Sequence, residues 1–80
     1  MTRLTLYGRE LCHLCYDMER ALSALHVERE FALERVDIDI DPQLVARFGE
    51  FIPVLMAGDL QICRTFFDRE AFDAYFREFQ

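Results

Sequence analysis

The sequence has no tryptophan, two prolines and three glycines, and it lacks any long apolar run. A helix that crosses a membrane needs roughly 20 consecutive apolar residues, so we expect no membrane partner. The first residues also lack the apolar run of a signal peptide, and we therefore expect a cytoplasmic protein. Three cysteines can close at most one disulfide, which excludes the cross-linked scaffolds typical of small secreted proteins.

Basic residues are also few, with nine Lys and Arg against fifteen Asp and Glu and a net charge of −6. Affinity for nucleic acid needs a basic surface, so we expect no nucleic-acid partner. The chain is 52% hydrophobic and contains eight Phe, enough for a packed core that needs no disulfide or metal ion to stabilise it. No linker, repeat or low-complexity segment divides it. We expect a single domain over residues 1–80, and a monomer.

Apolar spacing predicts seven elements along the chain. The first helix is marked by a stripe whose steps of four, three, four and three are helical: Leu11, Cys15, Met18, Leu22 and Leu25. Asp41 and Asp68 are predicted helix caps, and Gly58-Asp59 is a predicted hairpin turn. The predicted strands are 3–7, 31–38, 54–57 and 60–64, and the predicted helices are 12–26, 42–48 and 69–79.

The order of these elements is β-α-β-α-β-β-α. A strand, helix and strand at this spacing form a parallel pair with a crossover helix, and a hairpin adds antiparallel strands. The first strand is apolar on both faces, which is typical of a central position. The sequence therefore predicts an α/β fold with a four-stranded mixed sheet covered by three helices.

Two cysteines stand between the first strand and the first helix, in the motif Cys12-His13-Leu14-Cys15. Thiols at this spacing can close a disulfide or bind one metal ion. Cys12 is predicted at the helix N-terminus, where unpaired N–H groups and the helix dipole favour the reactive thiolate. Cys15 falls one turn later on the buried face. This asymmetry suits an attacking thiol, Cys12, and a resolving thiol, Cys15.

The element order, the C-x-x-C motif and Phe51-Ile52-Pro53-Val54 before the third strand resemble the thioredoxin fold. The opening Leu4-Thr5-Leu6-Tyr7-Gly8-Arg9 resembles the glutaredoxin branch, in particular its small bacterial glutaredoxin-like members. The resemblance implies a cis Ile52–Pro53 bond beside the two cysteines. It also implies that the Ile52 backbone pairs with an extended substrate or glutathione, and that Arg9 contacts a glutathione carboxylate.

The sequence departs from typical glutaredoxins at two places. His13-Leu14 replaces Pro-Tyr between the cysteines, and Arg64-Thr65 stands where a Gly-Gly helps to hold glutathione. His13 has two open interpretations, a residue that tunes the Cys12 thiol or a solvated residue at the helix start. Glutathione is expected only as a co-substrate, with no tightly bound cofactor, and the missing Gly-Gly predicts poor use of it.

Three functions compete. The first is a thiol–disulfide oxidoreductase acting on protein or small-molecule disulfides, with an electron donor that the sequence does not identify. The second is a metal or iron–sulfur cluster carrier that uses the same thiols. The third is a non-catalytic interaction module. A structural zinc site needs four ligands, and only Cys12 and Cys15 have the spacing of metal ligands, so no metal site is predicted. Cys63 is interpreted as a small buried hydrophobe within a strand.

Overall fold

The computed structural model describes residues 2–79, which form four strands and three α-helices in the predicted order. Among these residues, no helix is both long enough and apolar enough to cross a membrane. Short 3-10 turns lie at Leu25–Val27 and at Ile38–Ile40. The elements are β1 Thr2–Gly8, α1 His13–Ala24, β2 Phe31–Asp37, α2 Pro42–Phe48, β3 Val54–Ala57, β4 Leu60–Arg64 and α3 Arg69–Phe79.

The four strands form one mixed sheet in the order β2-β1-β3-β4. β1 pairs with β2 in parallel and with β3 in antiparallel, and β3 pairs with β4 in antiparallel, so the predicted central position of β1 is correct. Tyr7 near the end of β1 lies opposite Val54 at the start of β3. This register brings the loop that follows Gly8 close to the segment that precedes Val54.

The sheet has a buried core on each face. One core lies under α1 and α3, and the other lies under α2. Phe72 of α3 is fully buried and packs edge-on against Phe31, with ring centroids 5.7 Å apart. The first core contains Leu4, Leu6, Met18, Leu22, Leu25, Phe31, Leu55, Cys63, Phe72 and Phe76. The second contains Ile38, Phe48, Val54 and Met56. The sheet is therefore covered on both faces, as predicted.

Two predicted helix caps are present. The Asp41 carboxylate accepts the Gln43 N–H at 2.9 Å, and the Asp68 carboxylate accepts the Ala71 N–H at 3.0 Å. Each bond satisfies a donor that the first helical turn leaves without a partner. At the hairpin, Gly58 has φ +60°, which glycine adopts without a steric penalty.

The structure differs from the sequence-based predictions at three places. Leu11 is not on the helix stripe: it is 95% exposed with φ +58°, because the chain turns there to bring Cys12 to the helix start. β2 ends at Asp37 rather than residue 38, since the Asp37 carboxylate accepts the Asp39 N–H at 2.9 Å and begins a 3-10 turn. Phe79 shares the helical spacing of Phe72 and Phe76, which predicts a buried position, but it is 60% exposed at the end of α3 and stacks on Tyr75.

Candidate active site

Cys12 is the N-cap of α1 and is joined to Cys15 by a disulfide. Their Cα atoms are 5.2 Å apart, within the ordinary range for disulfides. The Cys15 N–H donates to the Cys12 sulfur over 3.1 Å. Cys12 is half-buried, whereas Cys15 is 7% exposed. The more exposed of the two cysteines is therefore the one at the helix terminus.

The start of α1 suits a negatively charged sulfur at Cys12. The first N–H groups of a helix have no partner within the helix, and the helix dipole is positive at this end. The bond from the Cys15 N–H uses main-chain atoms, so its donor is present whichever side chain occupies position 15. A cysteine thiolate, which is the nucleophilic form of cysteine, is favoured by features of this kind, and Cys12 is the cysteine that lies beside them.

The segment Phe51–Pro53 precedes β3 beside the end of β1. The Ile52–Pro53 peptide bond is cis. Thr65 holds this segment from β4: its N–H donates to the Pro53 carbonyl at 2.7 Å, and its Oγ1 donates to the Phe51 carbonyl at 3.2 Å. Within residues 2–79, the main chain of Ile52 makes no hydrogen bond. Its N–H and carbonyl are therefore available to an extended chain.

The backbone conformation of Thr65 and its contacts with Phe51 and Pro53 were not predicted from the sequence. Thr65 has φ +67°, a left-handed conformation that is strained for a β-branched residue. The neighbouring Arg64 lies with its guanidinium over the Phe51 ring, 4.2 Å from the centroid. The only sequence signal was that Arg64-Thr65 stands where the resemblance has Gly-Gly, since glycine is the usual residue at positive φ. Both side chains contact Phe51 within the segment.

Arg9 is paired within the chain. Its Nη2 donates to the Asp39 carboxylate at 2.8 Å, and both side chains are partly exposed. Arg9 lies between a groove of about 350 Å³, which Gly8, Cys15 and Tyr16 also line, and a second groove of about 450 Å³ beside α2. The pairing with Asp39 was not predicted, because the two residues are 30 positions apart.

His13 lies at the first position of α1 and its side chain is 86% exposed. Its Nε2 lies 3.4 Å from the Asp17 carboxylate one turn later. Exposed pairs of this kind contribute little to stability. The structure therefore gives His13 a partner on the outer surface of the helix.

Cys63 is the free cysteine, and it is 7% exposed in the core under α3. Burial raises the pKa of the Cys63 thiol, a hydrogen bond with the Asp68 backbone opposes this, and the Asp68 charge adds to it. Within residues 2–79, no three His, Cys, Asp or Glu side chains converge as a metal site. A metal or cluster bound by Cys12 and Cys15 would therefore need ligands from outside this part of the chain.

The three thiols of the reduced chain are expected to be alkylated at different rates. Cys12 should react faster than Cys15 by about tenfold at neutral pH, since it combines exposure with the helix N-terminus. Cys63 should react slowest, and its rate should continue to rise with pH, because burial raises its pKa. Iodoacetamide labelling followed by peptide mass spectrometry measures all three rates. Equal rates for Cys12 and Cys15 would contradict the assignment of attacking and resolving thiols.

Solved structures similar to this chain support the fold. Protein Ne2328 from Nitrosomonas europaea is 37% identical with a TM-score of 0.85, and the match covers 92% of this chain and 89% of that one. Protein XcR50 from X. campestris is 33% identical with a TM-score of 0.67, over 92% and 95% of the two chains. Thioredoxin 1 from Thermosipho africanus, at 16% identity and a TM-score of 0.60 over 94% of each chain, shares the fold.

No curated protein matches this sequence. The model of the Glutaredoxin-like domain (DUF836) matches residues 3–77, which include the C-x-x-C motif and all or most of every strand and helix. The chain therefore belongs to the glutaredoxin-like domain family and has a thioredoxin-like fold.

Proposed function

We propose that this protein is a thiol–disulfide oxidoreductase that cycles between a Cys12/Cys15 dithiol and the corresponding disulfide. The observation that carries the proposal is the disulfide at the N-terminus of α1, with Cys12 half-buried and Cys15 buried. A thiolate at Cys12 is stabilised by the helix terminus and can be reached by a substrate. Cys15 is close enough to displace whatever Cys12 binds.

The proposed reaction has two exchange steps. The Cys12 thiolate attacks one sulfur of a substrate disulfide, forms a mixed disulfide and releases the other substrate sulfur as a thiolate. Cys15 then loses its proton and attacks the Cys12 sulfur, which releases the second substrate thiolate. The substrate gains two electrons and two protons, and the protein becomes a disulfide. A dithiol donor reverses these steps on the protein and restores the reduced pair.

Substrate is proposed to bind along Ile52. Its neighbours Phe51 and Pro53 have their carbonyls occupied by Thr65, whereas the Ile52 main chain is free among the described residues. An extended segment can pair with such a backbone as an added strand does. This pairing would hold a substrate disulfide beside Cys12 without selecting a particular side chain, which suits protein or small-molecule disulfides in a reducing cytoplasm.

Glutathione mixed disulfides are proposed to be poorer substrates than peptide disulfides. Arg9, which the resemblance assigns to a glutathione carboxylate, already has a carboxylate partner in Asp39. Arg64 and Thr65 occupy the place of the glycines and contact the Phe51 side chain and carbonyl. Even an unpaired exposed arginine would contribute only ~0–1 kcal/mol to glutathione binding. The attraction of Arg9 for a glutathione carboxylate is therefore weak. It is opposed by competition from Asp39 and by the bulk of the Arg64 and Thr65 side chains.

Substrate choice can be tested by assaying a peptide disulfide and a glutathionylated peptide with a dithiol donor. We expect the wild type to favour the peptide disulfide, and Arg9→Ala to change either rate by less than about fivefold, which is the size of a weak surface contact. Arg77→Ala, which removes an exposed arginine from α3, is the matched control. Efficient deglutathionylation that is lost in Arg9→Ala but kept in Arg77→Ala would show a glutathione-dependent enzyme instead.

A further inference from the structure

Gly8, the last residue of β1, packs directly against the resolving cysteine. A Cβ atom built on Gly8 would lie 2.9 Å from the Cys15 sulfur and 3.3 Å from the Cys15 Cβ. Real Cβ atoms essentially never approach another atom as closely as the first of these distances. Gly8 does not have the left-handed backbone that favours glycine, whereas Gly58 does. Position 8 therefore requires glycine because Cys15 leaves no room there for a side chain.

The cost of filling this space depends on the redox state of Cys15. In the disulfide, the sulfur is bonded to Cys12, whose own position is set by the N-cap of α1. It cannot turn away from position 8 without moving the helix start. In the dithiol the bond is absent, and the Cys15 side chain can change its χ1 rotamer. An added methyl group at position 8 therefore opposes the disulfide more than the dithiol.

We propose that Gly8 is a positioning residue that sets the dithiol/disulfide equilibrium of Cys12 and Cys15, by leaving room for the Cys15 sulfur in the oxidised state. The inference rests on the proposed function, because Cys12 and Cys15 must alternate between the dithiol and the disulfide. In the half-reaction, the disulfide accepts two electrons and two protons and gives two thiols. Glycine at position 8 stabilises the oxidised side, which makes the dithiol the stronger reductant.

The test is the redox equilibrium of Gly8→Ala in glutathione buffers of graded ratio, with the oxidised fraction read by alkylation and mass spectrometry. Overpacking predicts that the constant for disulfide formation falls about tenfold or more, which corresponds to a potential about 30 mV more positive. Gly58→Ala is the matched control: apart from its two chain neighbours, no residue has an atom within 4 Å of the added Cβ, so the constant for disulfide formation should change less than about twofold. Equal constants for wild type and Gly8→Ala would overturn the proposal.

Unfolding separates a redox role from a merely structural one. Gly8→Ala should lower the stability of the oxidised protein more than that of the reduced protein, whereas Gly58→Ala should lower both equally through its positive φ. Equal destabilisation of both forms by Gly8→Ala would contradict the proposal. If oxidised Gly8→Ala does not fold, the double variant Gly8→Ala/Cys15→Ala is measured instead. Recovery of folding in the double variant would support a clash with the Cys15 sulfur, and failure to recover would overturn the proposal.

The outcome is independent of substrate turnover, because glutathione buffers report the equilibrium of the pair directly. A shift in Gly8→Ala in a protein that reduces no peptide disulfide would support the role of Gly8 and contradict the proposed function. If the wild type turns over a peptide disulfide but Gly8→Ala does not shift the redox equilibrium, the proposed function would be supported and the role of Gly8 contradicted. The two claims therefore fail separately.

Discussion

Replacing Cys12 by serine is expected to reduce the turnover of a peptide disulfide to the rate in buffer without protein. Serine at position 12 can still cap α1, so the fold should be retained. Its hydroxyl is not ionised near neutral pH, and no other accessible thiolate remains at the helix N-terminus. The measurement is the initial rate with a dithiol donor, with circular dichroism to verify the fold.

Cys63→Ser is the matched control for this loss. Cys63 is buried under α3 and its pKa is raised, so it should take no part in exchange, and the variant should keep the wild-type rate wherever it folds. Substantial turnover by Cys12→Ser would contradict the assignment of the attacking thiol. Loss of turnover in folded Cys63→Ser, with Cys12 intact, would assign a redox role to the third cysteine.

Replacing both Arg64 and Thr65 by glycine is expected to raise the reduction of a glutathionylated peptide about tenfold, equivalent to about 1.4 kcal/mol. The change removes the Arg64 guanidinium from the Phe51 ring and the Thr65 side chain from the Phe51 carbonyl. It also relieves a positive φ at a β-branched residue, a strain of about 1–3 kcal/mol, against the loss of a hydrogen bond of about 1 kcal/mol. These two terms are of similar size, and the variant also loses the cation–π contact of Arg64 and gains a glycine at the end of β4, so circular dichroism is used to verify its fold.

Thr65→Ser separates sterics from the hydrogen bond. Serine keeps the hydroxyl that donates to the Phe51 carbonyl, removes only a methyl group and leaves Arg64 in place, so this variant should gain much less with glutathionylated peptide than the double glycine variant. The rate with an unmodified peptide disulfide is measured alongside, to detect a general change in reactivity. An unchanged preference in the double glycine variant would show that Arg64 and Thr65 do not limit glutathione use.

The elements and the cysteine motif could be predicted because their signals are local. The short run of strand-forming residues at 3–7 and the helical spacing from Cys15 to Leu25 are each visible within a short window of the sequence. Asp41, Asp68 and Gly58 act on their own neighbours, and each is found in the predicted role. The position of Cys12 followed from where the strand ended and the helix began.

The rest of the site depends on contacts between distant segments. Arg9 meets Asp39 only because β1 and β2 pair in parallel, and Thr65 reaches Phe51 only because β4 pairs with β3. Leu11 shows the converse, since its spacing fitted the helix stripe although the chain turns there. The space that Gly8 leaves for Cys15 likewise requires the helix to be placed against the strand.

The most direct test of the account uses Cys15→Ser and a peptide disulfide that carries a chromophoric leaving group. The donor of the hydrogen bond to Cys12 is a main-chain N–H, so the variant keeps it. We expect release of one leaving group per chain, followed by a stable mixed disulfide that peptide mapping locates on Cys12. An adduct on Cys63, or no adduct in a variant whose wild-type parent turns over the same peptide, would contradict the proposed mechanism.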